Sequence, residues 1–372
     1  MAWTRRQFLN TSLGATAGAL AIPHVRPLAA EARPWVPQPS ASKSLRLLFL
    51  GGTGFIGPHM VRYAMYRGHQ VTLFNRGRSN VDLFPGAELL TGDRDGNLES
   101  LKGKKWDAVI DNSGYVPRHV NDSAKLLDQA VGRYLFISTG SVYAPDQDAL
   151  PEDAKLLQLT EPGSEDVNKH YGALKVLCEN AVMDRFKSRG TVLRLHIVAG
   201  PGDPTNRFTY WPVRINTGGE IIAPGPQSAP VQFIDVRDLA EFTIHSIERN
   251  NSGIYNTAGP TLDPTSMAEF VYGIRATTQA RTSFHWIDEP FLTEHKARYQ
   301  MVVPPTGPAR GLMNVRSHKA VAAGLTFRPL AVTAVDTLEW FQALPQAERD
   351  KLPLNLERDA KIIAAWKARA GK

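Results

Sequence analysis

Apolar positions along the chain fall into short runs that alternate with helically spaced sets. Residues 45–50 are apolar except for Arg46, and they stop at Gly51-Gly52-Thr53-Gly54-Phe55-Ile56-Gly57. Behind that turn Met60, Val61, Tyr63, Ala64 and Met65 recur at helical spacing up to Gly68, and Val71-Thr72-Leu73-Phe74 reads as a second strand. Strand, glycine turn, helix, strand is a βαβ unit of about thirty residues. Leu89-Leu90-Thr91 and Ala108-Val109-Ile110 predict further short strands, and Tyr134-Leu135-Phe136-Ile137 predicts a fifth. Leu174, Leu177, Ala181 and Val182 predict a helix, as do Ala334, Val335, Leu338, Trp340 and Phe341. Residues 360–370, with Ile362, Ile363 and Trp366, form a basic amphipathic segment, either packed on the body or turned toward a membrane or partner.

The first thirty-two residues break this alternation. Thr4-Arg5-Arg6-Gln7-Phe8-Leu9 heads a small-residue, weakly apolar run, and Ala30-Glu31-Ala32 suits a cleaving peptidase. The run is too short and too polar to span a bilayer stably. Paired arginines before Phe-Leu resemble a twin-arginine signal, the address read by the translocation machinery that exports folded proteins across the bacterial inner membrane. On that reading residues 1–32 are a signal peptide and the mature chain begins at Arg33 and works in the periplasm. Residues 33–44, with Pro34, Pro37 and Pro39, are then a flexible linker. A retained anchor and an ordinary basic surface helix are the alternatives.

Composition narrows the chemistry. With 372 residues there is room for two domains, or for one large α/β domain with an appended part. A chain that is 42% hydrophobic and 21% charged is neither disordered nor collagen-like. The net charge of +7 is modest and Lys and Arg form no block, so a nucleic-acid partner is not expected. One cysteine, Cys178, permits no intramolecular disulfide and no CxxC site. No HExxH occurs either, so no metal is expected. Folding before export accounts for an exported protein without disulfides.

The turn at residues 51–57 carries the first candidate chemistry. Gly51, Gly54 and Gly57 allow a tight turn and a close approach to a pyrophosphate at a helix N-terminus, with Thr53, Phe55 and Ile56 completing the cradle. A glycine-rich turn without a ligand is the alternative. After the second strand comes Asn75-Arg76-Gly77-Arg78, with no acid for a ribose diol. Arginines there favour NADP over NAD, unless they are a solvated loop. Asp93 ends the next strand and is placed to bind the adenine amino group. Asn112, Ser113 and Gly114 end the fourth and would lie along the cofactor, with Tyr115 reaching the substrate.

The fifth strand ends in Ser138-Thr139-Gly140-Ser141-Val142-Tyr143, and a later helix carries Tyr171-Gly172-Ala173-Leu174-Lys175. Residues four apart share a helix face. A phenol ionises near about pH 10 and a neighbouring ammonium lowers that value. Tyr171 beside Lys175 is therefore expected to exchange a proton with a substrate hydroxyl, with Thr139, and Ser141 beside it, holding the same oxygen.

These residues together resemble the short-chain dehydrogenase/reductase superfamily, and within it the extended NAD-dependent epimerase/dehydratase group. The resemblance rests on Gly51, Gly54 and Gly57, Asp93, Ser138-Thr139 with Val142-Tyr143, Tyr171 and Lys175, Gly200-Pro201-Gly202, and the run Phe233-Ile234-Asp235-Val236-Arg237-Asp238-Leu239-Ala240, and it covers residues 45 to about 345. It implies an α/β fold: a Rossmann-type doubly wound parallel sheet over residues 45–200, with a smaller C-terminal substrate lobe over 201–345 that interleaves with the last sheet elements, and a helical tail over 346–372. It further implies that Tyr171 is the general acid/base, that Lys175 binds the nicotinamide ribose and tunes Tyr171, and that Thr139 takes the place of the catalytic Ser/Thr. Two departures stand out. Val231 occupies the place where nucleotide-sugar epimerases commonly carry a diphosphate-gripping Arg, and Gly140-Ser141 replace the acid pair of sugar dehydratases. Phe74-Asn75-Arg76-Gly77 and Gly92-Asp93-Arg94-Asp95-Gly96 look like an atypical branch that includes chloroplast members binding RNA.

On the substrate side, Asn206, Arg207, Tyr210 and Trp211 suit a sugar-like ligand, with polar forks for hydroxyls and rings for C–H faces. The aromatics packing between lobes is the alternative. His196 either faces the substrate or is a satisfied core residue. The expectation is an exported NAD(P)-dependent epimerase or oxidoreductase with a tightly held NADP or NAD regenerated in each turnover, and a homodimer is a candidate assembly. An NADPH-dependent reductase of small carbonyl compounds, or a non-catalytic nucleotide- or RNA-binding member, are the rivals.

Overall fold

The structure is a computed structural model, and it describes residues 40–301 and 307–370. The twin-arginine segment and residues 33–39 lie outside the described residues. Seven parallel strands form the central sheet: β1 (Arg46–Leu50), β2 (Gln70–Asn75), β3 (Glu88–Thr91), β4 (Trp106–Asp111), β5 (Val131–Thr139), β6 (Gly190–Leu195) and β7 (Gly253–Thr257). Their spatial order is β7-β6-β5-β4-β1-β2-β3. This is the Rossmann-type doubly wound sheet. A parallel strand is covered on both faces, which is why Leu47, Leu48, Phe49 and Leu50 are all fully buried and form an unbroken apolar run.

Helix α1 (Ile56–Tyr66) covers one face together with α4 (Val236–Glu248), and α2 (Pro117–Leu127) with α3 (Val167–Phe186) covers the other. Asp166 starts α3 by accepting hydrogen bonds from the amides of Asn168 and Lys169, and Asp235 starts α4 in the same way through Arg237. The strand order reverses between β1 and β4. Their carboxyl ends diverge there and leave a crevice.

The C-terminal lobe has its own core. A two-stranded parallel sheet (Gly219–Pro224 with Thr282–Ile287) packs with helices Tyr210–Thr217, Met267–Arg275 and Leu330–Ala343 around Phe208, Trp211, Phe233 and Phe270. The last helix, Leu356–Ala370, belongs to this core. It inserts Ile362 and Ile363, and its Asp359 accepts the Tyr299 hydroxyl at 2.8 Å. The amphipathic tail thus docks on the body. At the other end, Ala41 donates its amide to the Arg67 carbonyl at 3.0 Å and Ser44 its hydroxyl to that of Gly68 at 2.6 Å, which fastens this segment to the turn after α1.

Candidate functional site

The glycine turn occupies one side of the crevice, and its glycines serve different ends. Gly51 and Gly52 adopt φ of +102° and +104°. A Cβ on Gly51 would lie 2.2 Å from Asn112 Oδ1, and one on Gly57 2.6 Å from Gly52 backbone atoms. A Cβ on Gly54 would meet nothing within 4 Å. Space is therefore open beside the start of α1, where no side chain caps the helix and Phe55 takes the N-cap position. Uncapped first-turn amides beside an open cradle suit an anion, and the residues present fit a dinucleotide pyrophosphate.

The other expected cofactor residues are placed around this turn. The Thr53 carbonyl accepts from Asn80 Nδ2 at 2.9 Å, and Asn75 Oδ1 accepts from the Gly77 amide at 2.9 Å. Arg76 and Arg78 are exposed on the same loop. Asp93 pairs with Asn97 in an isolated bridge and caps the Asp95 amide at 2.9 Å. Asn112 lines the cavity described below. Ser113 is committed to the scaffold, because its hydroxyl donates to the Leu50 carbonyl at 2.9 Å. Beneath it lies a buried ion pair that the sequence reading missed, Arg94 with Asp111, joined by Tyr134, whose hydroxyl donates to Asp111 Oδ2 at 2.7 Å.

A cavity of about 290 Å³ continues from the crevice. Phe55 and Ile56 border it at the turn, Thr139 and Ser141 at the end of β5, and Tyr171 and Lys175 on α3. Helix α3 is interrupted at His170 (φ −122°, ψ 21°), so its regular part begins at Tyr171. The Tyr171 ring stands 6.3 Å from that of Tyr115, which also lines the cavity. Burial pushes the Tyr171 phenol above its usual range, Tyr115 adds to this, and the hydrogen bond to Thr139 and the charge of Arg207 oppose it. Thr139 in turn donates to Ser141 Oγ at 3.0 Å.

Lys175 is held by backbone. Its ammonium donates to the carbonyls of Gly114 at 2.8 Å and Ile137 at 2.6 Å and lies 4.1 Å from the centre of the Phe136 ring. Burial pulls its pKa down to about 8. Burial is the largest influence on the Tyr171 phenol and pushes its pKa up. The lysine ties α3 to the loop after β4 and to the end of β5.

The substrate-side residues divide. His196 lines the cavity, with Nε2 3.3 Å from Met313 Sδ, and burial followed by the charge of Arg207 lowers its pKa to about 3, so the imidazole is neutral. Arg207 lines the cavity and donates Nε to Thr205 Oγ1 at 3.0 Å. Asn206 does not line it, and its carbonyl starts the next helix by accepting from the Tyr210 amide at 3.0 Å. Tyr210 and Trp211 are core residues of the lobe, and the Trp211 indole donates to the Gln300 carbonyl at 3.2 Å. Large aromatic surfaces gain more from that core than from a ligand face.

Part of the wall was invisible in sequence. Leu312, in a short 3-10 helix (Arg310–Met313), and Val315 just after it line the cavity from far down the chain. Arg310 laces that segment to the loop after β5 through Asp148 at 2.5 Å and Asp146 at 3.1 Å. Among the described residues no three His, Cys, Asp or Glu side chains gather as a metal cluster.

A doubly wound sheet, a glycine turn at the point of strand reversal and a Tyr/Lys helix beside it define a Rossmann-type protein with a dinucleotide-shaped crevice. Residues 47–258 match the pattern of the NAD dependent epimerase/dehydratase family, and the chain belongs to that family. It is 28% identical over 241 residues to the chloroplast stem-loop binding protein of 41 kDa b from Arabidopsis thaliana, a match spanning 59% of this chain and 60% of that relative's length. It is 26% identical over 265 residues to the epimerase family protein SDR39U1 of Bos taurus, spanning 64% of this chain and 82% of the relative. In fold it is similar to MoeE5, solved in complex with UDP-glucose and NAD, with a TM-score of 0.56 and 19% identity over 80% of this chain and 98% of that one.

Proposed function

We propose that this chain is an NAD(P)-dependent oxidoreductase or epimerase of the short-chain dehydrogenase type that acts on a sugar-like secondary alcohol. The observation that carries this is the convergence of the Tyr171 and Thr139 hydroxyls on one cavity that runs into the open cradle at Gly54. The turn at residues 51–57 would hold the pyrophosphate, Asn75, Arg76, Arg78 and Asp93 the adenosine end, and Asn112, Gly114 and Lys175 the nicotinamide end. When bound, the coenzyme supplies hydride transfer. The chain's own contribution is the proton: the Tyr171 oxygen is placed to take the proton of the substrate hydroxyl as the alcohol is oxidised and to return it when the carbonyl is reduced, and Thr139 and Ser141 orient that oxygen. Lys175 keeps α3 in register with the sheet so that the two hydroxyls stay together.

Two features favour a small free substrate over a nucleotide sugar. The cavity lies at the low end of the usual range for ligand sites, roughly 300–1,000 Å³. Val231 is buried where a diphosphate-gripping Arg would stand. Arg5-Arg6 in the N-terminal segment supports export through the twin-arginine route to the periplasm. There the coenzyme has no ready pool, so it is held tightly and regenerated within each turnover. The arginines after β2 favour NADP.

Mass spectrometry of the small molecule released on denaturation tests the coenzyme, and Tyr171→Phe tests the chemistry. The expected result is a stoichiometric nicotinamide dinucleotide in both proteins and turnover reduced at least about 100-fold in the variant. A chain that carries no such nucleotide, or a variant that turns over as well as the parent, would overturn the reading.

A further inference from the structure

Among the described residues, the fully buried guanidiniums each have partners of their own. Arg94 pairs with Asp111, Arg194 with Glu179, Arg237 with Asp235 and Asp336, and Arg214 donates to the Gly218 and Glu220 carbonyls. Such pairing is expected, since an uncompensated buried charge is costly.

Arg207 is half-buried in the wall of the cavity. Its Nε donates to Thr205 Oγ1, and no ion pair among the described residues engages its guanidinium. Asp203 lies on the same loop but gives its Oδ1 to the Thr205 amide at 2.8 Å and hydroxyl at 2.6 Å, while its Oδ2 is buried with no hydrogen-bond partner. None of the residues lining the cavity is acidic. The other cation there, Lys175, is satisfied by two carbonyls, and His196 is neutral. Asp203 acts on Arg207 only through space, without an ion-pair contact, so the cavity presents a forked guanidinium with no carboxylate directly on it, on the same wall system as the Tyr171 and Thr139 hydroxyls.

We propose that Arg207 binds a carboxylate of the substrate, so that the molecule handled at Tyr171 is a sugar acid, with its acid group on Arg207 and its secondary alcohol at Tyr171 and Thr139. This rests on the proposed function and names its substrate class. A guanidinium fork matches a carboxylate through two parallel hydrogen bonds, which fixes the ligand's orientation as well as its position. The pyrophosphate of the coenzyme is a second source of negative charge. The substrate is the better match, because Arg207 lines the same cavity as Tyr171, Thr139 and His196 and its charge acts on Tyr171 and His196.

The test uses coenzyme-loaded protein carrying Tyr171→Phe, so that binding is read by calorimetry without turnover. The probes are matched pairs: D-glucuronate against D-glucose, D-galacturonate against D-galactose, and D-gluconate against D-glucitol. The acid of at least one pair is expected to bind tighter than its neutral partner by about tenfold or more, the size of a charged hydrogen-bonded contact. Arg207→Gln in the same background removes the preference and Arg207→Lys restores part of it, with thermal midpoints unchanged. Acids and neutral partners that behave alike in every pair overturn the proposal. So does an Arg207→Gln protein that loses coenzyme while keeping the acid preference, since the guanidinium then serves the pyrophosphate. Because the readout is binding in a protein lacking the Tyr171 hydroxyl, a wrong assignment of Tyr171 leaves this result interpretable.

Discussion

A Cβ on Gly57 would stand 2.6 Å from the Cα of Gly52, so the first turn of α1 and the end of the β1 turn touch backbone to backbone. Three positions earlier, a Cβ on Gly54 would meet nothing within 4 Å. These two glycines separate stability from ligand binding. Gly57→Ala is expected to cost about 1–3 kcal/mol through forced backbone shifts. Gly54→Ala should leave stability within about 0.5 kcal/mol and yet lower coenzyme retention, because the added methyl fills the cradle. Thermal midpoints and nucleotide content after gel filtration measure both, and equal effects of the two substitutions would contradict this division.

Lys175 gives a pH signature. Burial pulls its pKa down to about 8, below the usual value of about 10.4. Between those values the unfolded chain binds more protons than the folded one, so this group's contribution to stability rises with pH through that window. Its grip works the other way. The charge that strengthens donation to Gly114 and Ile137 leaves as pH rises through about 8. Coenzyme affinity, followed by fluorescence titration, should therefore fall above pH 8 in the parent and stay flat in Lys175→Met.

Much of the fold is legible because parallel strands buried on both faces leave unbroken apolar runs, as at Leu47–Leu50 and Ala108–Ile110. Tyr171 and Lys175 were legible as a pair because helical spacing alone puts them on one face, and both do line the cavity. What Lys175 touches was not legible, since the Gly114 and Ile137 carbonyls come from the loop after β4 and from β5. Tyr210 and Trp211 read as ligand rings because Asn206 and Arg207 precede them. The same letters serve a helix whose aromatic side faces a core, and only packing against Phe270 and Tyr299 decides between the two. Leu312 and Val315 carry no local pattern at all. Arg94, in an acidic glycine-flanked run, looks like a solvated turn residue until Asp111 is brought beside it.

That last pair is itself testable. Asp111 is fully buried, and it holds Arg94 and the Tyr134 hydroxyl beneath the end of β4. Asp111→Asn keeps the shape and removes the charge, which leaves the Arg94 guanidinium uncompensated. Breaking one side of a buried pair costs about 3–5 kcal/mol. Chemical denaturation should show a loss of that order in Asp111→Asn, and much of it should return in the double variant Arg94→Met, Asp111→Asn. A single-variant loss below about 1 kcal/mol would mean that water or a neighbouring group supplies the missing charge.

Acid should unfold this protein through its buried histidines. His59 shares a 3.0 Å hydrogen bond with the Pro201 carbonyl, which joins α1 to the loop carrying Arg207, and burial lowers its pKa to about 4. His196 is lowered further, to about 3. Both are neutral when folded, and both bind a proton near pH 6.5 when unfolded. The unfolded state thus takes up protons first as pH falls, and stability declines from about pH 6.5 down toward the folded values. For His59 the full shift corresponds to roughly 3 kcal/mol. His59→Gln keeps an N–H for Pro201 but cannot titrate, so its stability curve should be flatter between pH 6.5 and about 4 by close to one proton, while the parent's slope approaches two. Identical slopes would place the acid sensitivity elsewhere, in the carboxylates of the buried ion pairs.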